Sequence, residues 1–209
     1  MDNLIFWTEI VGSVAFAASG TILGIKKHFD IFGIVILAVI ATVGGGFMRD
    51  LILGVHPPVM FSDPVYCFTA VITALSLCVA PVRRQFSKKL VYSMVMILLD
   101  AVGLAVFTAS GVIYAYEMNG ANHFLMIFTG VITGVGGGLT RDIIAGELPY
   151  IFRKHVYACA AIIGAVVCSY SIAQIGIGYA MFISSSIIFA IRVLSAYFRI
   201  NLPRISDEE

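Results

Sequence analysis

The sequence predicts an all-α integral membrane protein with seven transmembrane helices, arranged as two inverted three-helix repeats and one further C-terminal helix. Three observations predict this fold: the apolar composition, the spacing of long apolar segments, and an internal repeat. Of the 209 residues, 60% are hydrophobic and 12% are charged, and the mean hydropathy is +0.99. A soluble globule of this composition would have too few polar residues to cover its surface. We therefore expect the lipid bilayer to be the main solvent of the chain.

Apolar segments long enough to cross a bilayer follow one another along the chain. A helix needs about 20 mostly apolar residues to cross roughly 30 Å of hydrocarbon. This requirement predicts seven spans, at residues 4–25, 31–53, 65–82, 90–116, 124–145, 156–174 and 175–197. The first eight residues contain no Lys or Arg, so we expect the first span to be retained rather than cleaved as a signal peptide.

Lys and Arg segregate to one side of the predicted membrane. Two of them, Arg49 and Arg141, lie within spans. The other eleven fall on one face: Lys26, Lys27, Arg83, Arg84, Lys88, Lys89, Arg153, Lys154, Arg192, Arg199 and Arg204. Because short basic loops stay in the cytoplasm, we expect a cell (inner) membrane protein with its N-terminus outside and its C-terminus in the cytoplasm.

The two halves of the chain resemble each other. Ala18-Ser19-Gly20 recurs at an offset of 91 residues as Ala109-Ser110-Gly111. The motif Gly44-Gly45-Gly46-x-x-Arg49-Asp50 recurs at an offset of 92 as Gly136-Gly137-Gly138-x-x-Arg141-Asp142. Three spans per repeat is an odd number, so the second copy threads the membrane in the opposite sense. The predicted units are a first repeat (1–82), a basic loop (83–89), a second repeat (90–174), and a seventh helix with its tail (175–209).

Each half carries three consecutive glycines in its second span. Glycine costs about 1 kcal/mol relative to alanine in a helix interior, so the triplets predict kinks or breaks in spans two and five. Freed backbone groups are tolerated only where they face protein or water, and their carbonyls can replace part of a cation's hydration shell. Thr42 and Thr140, beside the triplets, and Ser19 and Ser110 are candidate pore-lining residues. The alternative is that the glycines only allow close helix packing.

An arginine follows each triplet and needs a partner, because a charge at membrane depth costs at least about 2.5 kcal/mol. The adjacent aspartates point about 100° away on a helix, so the acids of the first span in each half are the better candidates. The resulting hypothesis is one acid–arginine cluster in each half, with Glu9 or Asp50 near Arg49 in the first and Asp100 or Asp142 near Arg141 in the second. These clusters act either as gate latches or site residues, or as static ion pairs that lock the bends.

Other classes of function lack their machinery in this sequence. It contains no GxxxxGK[ST] nucleotide motif, no HExxH, no CxxC and no Ser-His-Asp set, so we expect neither an enzyme nor a bound metal or cofactor. No basic block is long enough to indicate nucleic-acid binding. Transport across the membrane is the function class that the buried polar motifs favour.

The doubled Gly-Gly-Gly-x-x-Arg-Asp, the Phe-x-Ala-Ser-Gly of spans one and four, and the three-plus-three-plus-one plan resemble the prokaryotic branch of the trimeric intracellular cation (TRIC) channel family. The resemblance covers residues 9–169. It implies a homotrimer in which each subunit has its own pore, kinked at the triplets and passing monovalent cations with a preference for potassium. Eukaryotic members carry Lys-Glu immediately before the first triplet, where this chain has Thr42-Val43, so lipid regulation tied to that lysine is not implied.

The same prokaryotic branch is also labelled a glycine transporter family, which leaves channel and carrier open. Carbonyls freed at a bend favour a cation. Arg49 and Arg141, at the start of half-helices, favour instead the carboxylate of a small amino acid, with Glu9 or Asp100 binding its ammonium group. A scaffold without transport activity is the third alternative. The sequence therefore predicts a potassium-preferring channel first, and a carrier for glycine or another small amino acid second.

Overall fold

The computed structural model describes residues 2–79, 89–153, 156–198 and 200. Within these ranges the chain forms helices and no strands, which confirms the all-α prediction. The helices are α1 (Asp2–Lys26), α2 (Ile31–Leu53), α3 (Val59–Ser62), α4 (Val65–Cys78), α5 (Lys89–Asn119), α6 (His123–Ile144), α7 (Tyr150–Arg153), α8 (Val156–Ile175) and α9 (Ile177–Tyr197).

Six of the described helices are long and apolar enough to cross a membrane, namely α1, α2, α5, α6, α8 and α9. The third predicted span differs, because α4 has 14 residues and ends at Cys78. At 1.5 Å per residue it is about 21 Å long, which is short of a full crossing. Residues 80–82, the end of that predicted span, lie outside the described residues. The count of seven spans therefore stays a prediction.

The second helices of the two halves, α2 and α6, begin and end with the same local signals. Asp30 and Asn122 cap α2 and α6, each accepting a bond from the backbone N–H three residues on, at 2.6 and 3.1 Å. Gly54 and Gly146 follow the last turns with φ of 72° and 64°. This left-handed conformation favours glycine, because in other residues the Cβ would come too close to the backbone carbonyl oxygen. The repeat is thus visible in local structure as well as in sequence.

Two short helices occupy corresponding places in the halves and are not predicted by the sequence analysis. Helix α3 begins directly after Pro58, and α7 begins directly after Pro149. Proline is well tolerated at the start of a helix because its missing N–H would have no partner there. Each short helix returns the chain toward the end of α2 or α6, which matters for the charged sites described below.

Helices α2 and α6 cross with their backbones in contact at the middle glycines. A Cβ built on Gly45 would lie 2.0 Å from the Thr133 carbonyl oxygen, and one on Gly137 would lie 2.3 Å from the Ala41 carbonyl oxygen. Both helices continue without interruption through the triplets, so the predicted break is wrong. The glycines allow close packing, as small residues do between membrane helices. A bend without loss of helical structure stays a prediction.

A pair of aromatic rings fills the centre between α1 and α5. Phe16 and Phe107, which correspond at the repeat offset, stack with centroids 5.4 Å apart and planes at 12°. Phe16 is fully buried. A Cβ at Gly103 would lie 2.4 Å from the Phe16 ring, so a larger residue there would displace the ring. The two halves therefore pack through equivalent residues near the middle of α1 and α5.

Helix α9 has no counterpart in the repeat and packs against α5 and α8. It brings Arg192 into the interior, where the residue is 1% exposed. By its sequence position Arg192 counts among the cations of the cytoplasmic side; its side chain is buried between the helices, and its side of the membrane stays a prediction. The residue lies more than one turn before the end of α9 and turns toward the other helices. The orientation of the termini stays a prediction.

We predict that Gly45→Ala destabilises the protein by about 3 kcal/mol, because the added methyl group overlaps a backbone oxygen of the facing helix. The matched control is Gly46→Ala in the same triplet, where a Cβ would lie 3.9 Å from its nearest neighbour outside the helix backbone, Arg49 Nη2. Thermal unfolding in detergent, followed by circular dichroism, compares the two variants. Equal melting temperatures would contradict the packing role of the middle glycine.

Candidate functional site

A cavity of about 240 Å³ lies between α1, α2, α3, α4 and α5. Its polar and charged lining residues are Glu9, Thr42, Arg49, Asp50, Tyr66, Ser110, Tyr114 and Glu117. We call it the Glu9 cavity. It lies at the face where α1 begins and α2 ends, and it contains most of the predicted site residues of the first half. Ser110 and Thr42, predicted to line a pore, both line this cavity.

Glu9 projects from α1 into the cavity and is held by hydroxyl groups. It is 9% exposed. Its carboxylate accepts a hydrogen bond from the Tyr66 hydroxyl at 2.5 Å and another from the Ser110 hydroxyl. Within the described ranges Glu9 forms no ion pair, so its expected pairing with Arg49 does not form. The described contacts of this carboxylate are thus hydrogen bonds from hydroxyl groups.

Arg49 pairs with the adjacent Asp50 instead. Arg49 Nε and Nη2 lie 2.9 and 2.8 Å from Asp50 Oδ1. Asp50 Oδ2 accepts a bond from the backbone N–H of Val59 at the start of α3, at 2.8 Å. The guanidinium also lies over the Tyr114 ring, 4.0 Å from its centroid. The expectation that the adjacent aspartate points away is wrong, because the long arginine side chain folds back to a carboxylate that the short helix holds in place.

The second half holds an equivalent group of charges that is sealed from solvent. Arg141 is fully buried and contacts Asp142 Oδ1 through Nε at 2.8 Å. Its Nη1 donates to Ser19 Oγ at 2.7 Å and to Asp100 Oδ1 at 3.2 Å. Asp142 Oδ2 accepts from the backbone N–H of Tyr150 in α7 at 3.2 Å. Burial raises the pKa of the Tyr150 phenol, which keeps this neighbour neutral.

Two residues that the sequence analysis missed complete this group. Arg192 Nη2 lies 3.8 Å from Asp100 Oδ2, and the Arg192 guanidinium lies 4.6 Å from the centroid of the Tyr157 ring. A sequence signal for Tyr157 exists, since Val65-Tyr66 recurs at an offset of 91 as Val156-Tyr157. No such signal exists for Arg192, which lies outside the repeat. We call Ser19, Asp100, Arg141, Asp142, Tyr157 and Arg192 the Asp100 cluster.

Each site contains a serine from the other half of the chain and lies beside the last glycine of its own half's triplet. Ser110 of the second half binds Glu9 of the first, and Ser19 of the first half binds Arg141 of the second. Gly46 lines the Glu9 cavity. Gly138 faces the Asp100 cluster, because a Cβ there would lie 3.0 Å from the Tyr157 hydroxyl. The sites are thus equivalent in sequence, but one is open and the other is closed.

Thr140, the other threonine beside a triplet, forms its hydrogen bond within its own helix in this conformation. The Thr140 hydroxyl donates to the Gly136 carbonyl at 2.8 Å, within its own helix, and does not line the Glu9 cavity. Phe107 forms part of the cavity wall, and Phe16 packs behind it. Ser19, one turn further along α1 from Phe16, belongs to the Asp100 cluster. The stacked rings lie directly behind the wall of the Glu9 cavity.

A bundle of membrane-length helices with paired charges at depth and a polar cavity defines a multi-pass membrane protein of the kind to which channels and transporters belong. The profile of the glycine transporter family matches this chain twice, at residues 6–81 and 97–172. The inner membrane protein YadS of Escherichia coli strain K12 is 36% identical over 208 residues, covering 99% of this chain and 98% of YadS. The membrane protein YvgT of Bacillus subtilis strain 168 is 30% identical, covering 93% of each chain.

Solved structures place the fold in the same family. A prokaryotic TRIC channel superposes with a TM-score of 0.88 at 29% identity, covering 97% of this chain and 100% of the other. The TRIC orthologue from Rhodobacter sphaeroides superposes with a TM-score of 0.86 at 27% identity, covering 94% and 98%. The chain belongs to the glycine transporter family, which is the prokaryotic branch of the TRIC cation channel family.

We predict that Arg141→Gln destabilises the protein more than Arg49→Gln does. Removing Arg141 leaves two carboxylates in a site without solvent, and loss of one partner from a buried ion pair costs about 3–5 kcal/mol. The Arg49–Asp50 pair is also buried, but it borders the Glu9 cavity, where water can replace part of the lost contact, so we expect a smaller loss there. Chemical or thermal unfolding in detergent measures both variants. Equal losses of stability would contradict the contrast between a sealed and an open site.

Proposed function

We propose that this protein is a monovalent cation channel of the inner membrane, with a pore in each subunit that joins the Glu9 cavity to the Asp100 cluster. The excess of carboxylates in the cavity is the observation that carries the proposal. Glu9, Asp50 and Glu117 line it against a single guanidinium, that of Arg49. Because Asp50 neutralises Arg49, the remaining carboxylates attract cations and raise their local concentration.

Family membership supports the same function. The solved relatives are named TRIC cation channels, and YadS is named an inner membrane protein. The preference for potassium and the homotrimer follow from the resemblance to this family, whose Rhodobacter sphaeroides member is named a trimeric channel. The distribution of Lys and Arg supports an N-terminus outside and a C-terminus in the cytoplasm.

Opening requires α2 and α6 to bend or separate where Gly45 meets Gly137. The backbone contact at these residues and the stacked Phe16 and Phe107 rings correspond, in this proposal, to the shut pore. Glycine has no Cβ, so a change of helix direction at the triplets moves no side chain through the facing helix. The proposed kinks of the open state thus occur at the same residues that pack the closed one.

A carrier for glycine or another small amino acid is the second candidate. Glu9 and Arg49 line one cavity of about 240 Å³, so an ammonium group and a carboxylate would find opposite charges within it. The family also carries the name glycine transporter. Arg49 is already bound by Asp50 and covered by Tyr114, however, so a substrate carboxylate would have to displace both contacts. This competition favours the channel.

Reconstitution of the purified protein into planar bilayers and liposomes tests the proposal directly. A channel gives single-channel currents under a potassium gradient. A carrier gives saturable uptake of labelled glycine without discrete conductance steps. Glycine uptake without currents would overturn the channel in favour of the carrier, and the absence of both activities would favour a scaffold.

We predict that Glu9→Gln lowers the potassium conductance about tenfold, because it removes a carboxylate that forms no ion pair among the described residues while keeping the size of the side chain. Single-channel recording at low ionic strength measures the effect, which should shrink at high salt as screening increases. Glu147→Gln is the matched control, since Glu147 pairs with Lys27 at 2.8 Å and does not line the cavity. A conductance of Glu9→Gln equal to that of the control would contradict the role of Glu9.

A further inference from the structure

Arg192 is a buried cation that the repeat does not account for. It reaches the Asp100 cluster from α9, is 1% exposed, and stacks on Tyr157. Among the described residues its Nε and Nη2 have no hydrogen-bond partner, and neither does Asp100 Oδ2, which lies 3.8 Å from Nη2. The two groups are close enough to neutralise each other but too far apart for a direct hydrogen bond.

Unsatisfied polar atoms concentrate at this place. Four buried side-chain atoms of the Asp100 cluster have no hydrogen-bond partner in the described part of the chain: Asp100 Oδ2, Tyr157 OH, and Arg192 Nε and Nη2. Native structures contain few such atoms, and a group of them indicates a bound water or ion. A static ion pair that served only stability would bring its donor and acceptor into direct contact.

The charges of the cluster balance only because α9 takes part. Arg141 forms its shorter ion pair with Asp142, at 2.7 Å, so these two charges cancel. Asp100 Oδ1 also contacts Arg141, whose charge Asp142 already balances. The charge of Asp100 is therefore balanced by Arg192. In the first half, the equivalent acid is Glu9, which forms no ion pair among the described residues and opens to the Glu9 cavity. Arg192 therefore lies where the first half has a polar cavity.

We propose that Asp100 Oδ2 and the Tyr157 hydroxyl form a second site for a monovalent metal cation such as potassium, and that Arg192 occupies this site as a tethered counter-ion. The equivalent pair in the first half, Glu9 and Tyr66, already shares a hydrogen bond at the wall of the open cavity. Gly138 faces the same place, since a Cβ there would lie 3.0 Å from the Tyr157 hydroxyl and 3.3 Å from the other Asp100 oxygen, Oδ1. The choice of a monovalent cation as the ligand rests on the proposed function of the protein as a cation channel.

Removing the tethered charge should make the site available to a free cation. In Arg192→Gln, Asp100 keeps its charge and loses the balancing guanidinium. A cation that binds the folded state then stabilises it according to its concentration. We expect the melting temperature of this variant to rise by about 5 °C between low and high KCl. The wild-type protein, whose site is filled by Arg192, should show no comparable rise.

The measurement uses purified full-length protein in detergent, with choline chloride replacing KCl so that ionic strength stays constant. Arg192→Lys keeps a tethered cation and should behave as the wild type does. Ser184→Ala is a matched control on the same helix, because this buried hydroxyl donates to the Met181 carbonyl of its own helix. The double variant Asp100→Asn with Arg192→Gln removes both charges and should lose the response to KCl.

The inference is overturned if Arg192→Gln responds to KCl no more than the wild type does, or if the double variant keeps the response. If Arg192→Gln alone does not fold, folding of the double variant supports the inference, and failure of both overturns it in favour of a packing role for Arg192. The result is separate from that of the channel assay. Wild-type protein without potassium currents would refute the proposed function, whereas the KCl response of the variant tests the site itself.

Discussion

The contact between the backbones of α2 and α6 is the constraint on which the rest of the structure depends. Gly45 and Gly137 meet the carbonyl groups of the facing helix at distances that no side chain permits. This contact sets the separation of the two halves and directs the third glycine of each triplet, Gly46 or Gly138, toward a charged site. Close approach of backbones replaces side-chain packing here, as it does between other membrane helices.

The arginine and aspartate after each triplet are positioned by the same element. Each aspartate uses one oxygen for its neighbouring arginine and the other for the first backbone N–H groups of a short helix, α3 or α7. A charge at membrane depth needs such a set of partners, because the hydrocarbon of the bilayer supplies none. The Arg-Asp motif is therefore a structural unit in both halves. What differs between the halves is the further acid, Glu9 or Asp100, and its surroundings.

Helix α9 breaks the symmetry of the repeat. It adds Arg192 to the second site, and nothing equivalent reaches the first among the described residues. Consequently one acid faces a cavity of about 240 Å³ and the other faces a guanidinium. Two sites of the same origin can then differ in function, one open to ions and one regulated by a residue of the protein itself. The proposed channel and the proposed cation site both follow from this difference.

The sequence by itself determined the class of the protein and most of its site. The apolar composition, the offset of 91 or 92 residues and the glycine triplets predict a helical membrane fold, its family, and the acids and arginines within it. These features are local or periodic, so a single chain displays them. The residue with which each charge pairs, by contrast, depends on tertiary contacts. Arg49 folds back onto Asp50 rather than reaching Glu9 because α3 holds that aspartate in place.

Only the tertiary structure decided which site is open, where Arg192 lies and whether the triplets break their helices. Arg192 has no periodic signal, and its position depends on how α9 packs against α5 and α8. The helices continue through the triplets because each middle glycine gains a packing contact with the facing backbone, which offsets its low helix propensity. Contacts between segments far apart in the chain decide these outcomes, and the order of residues in one segment does not encode them.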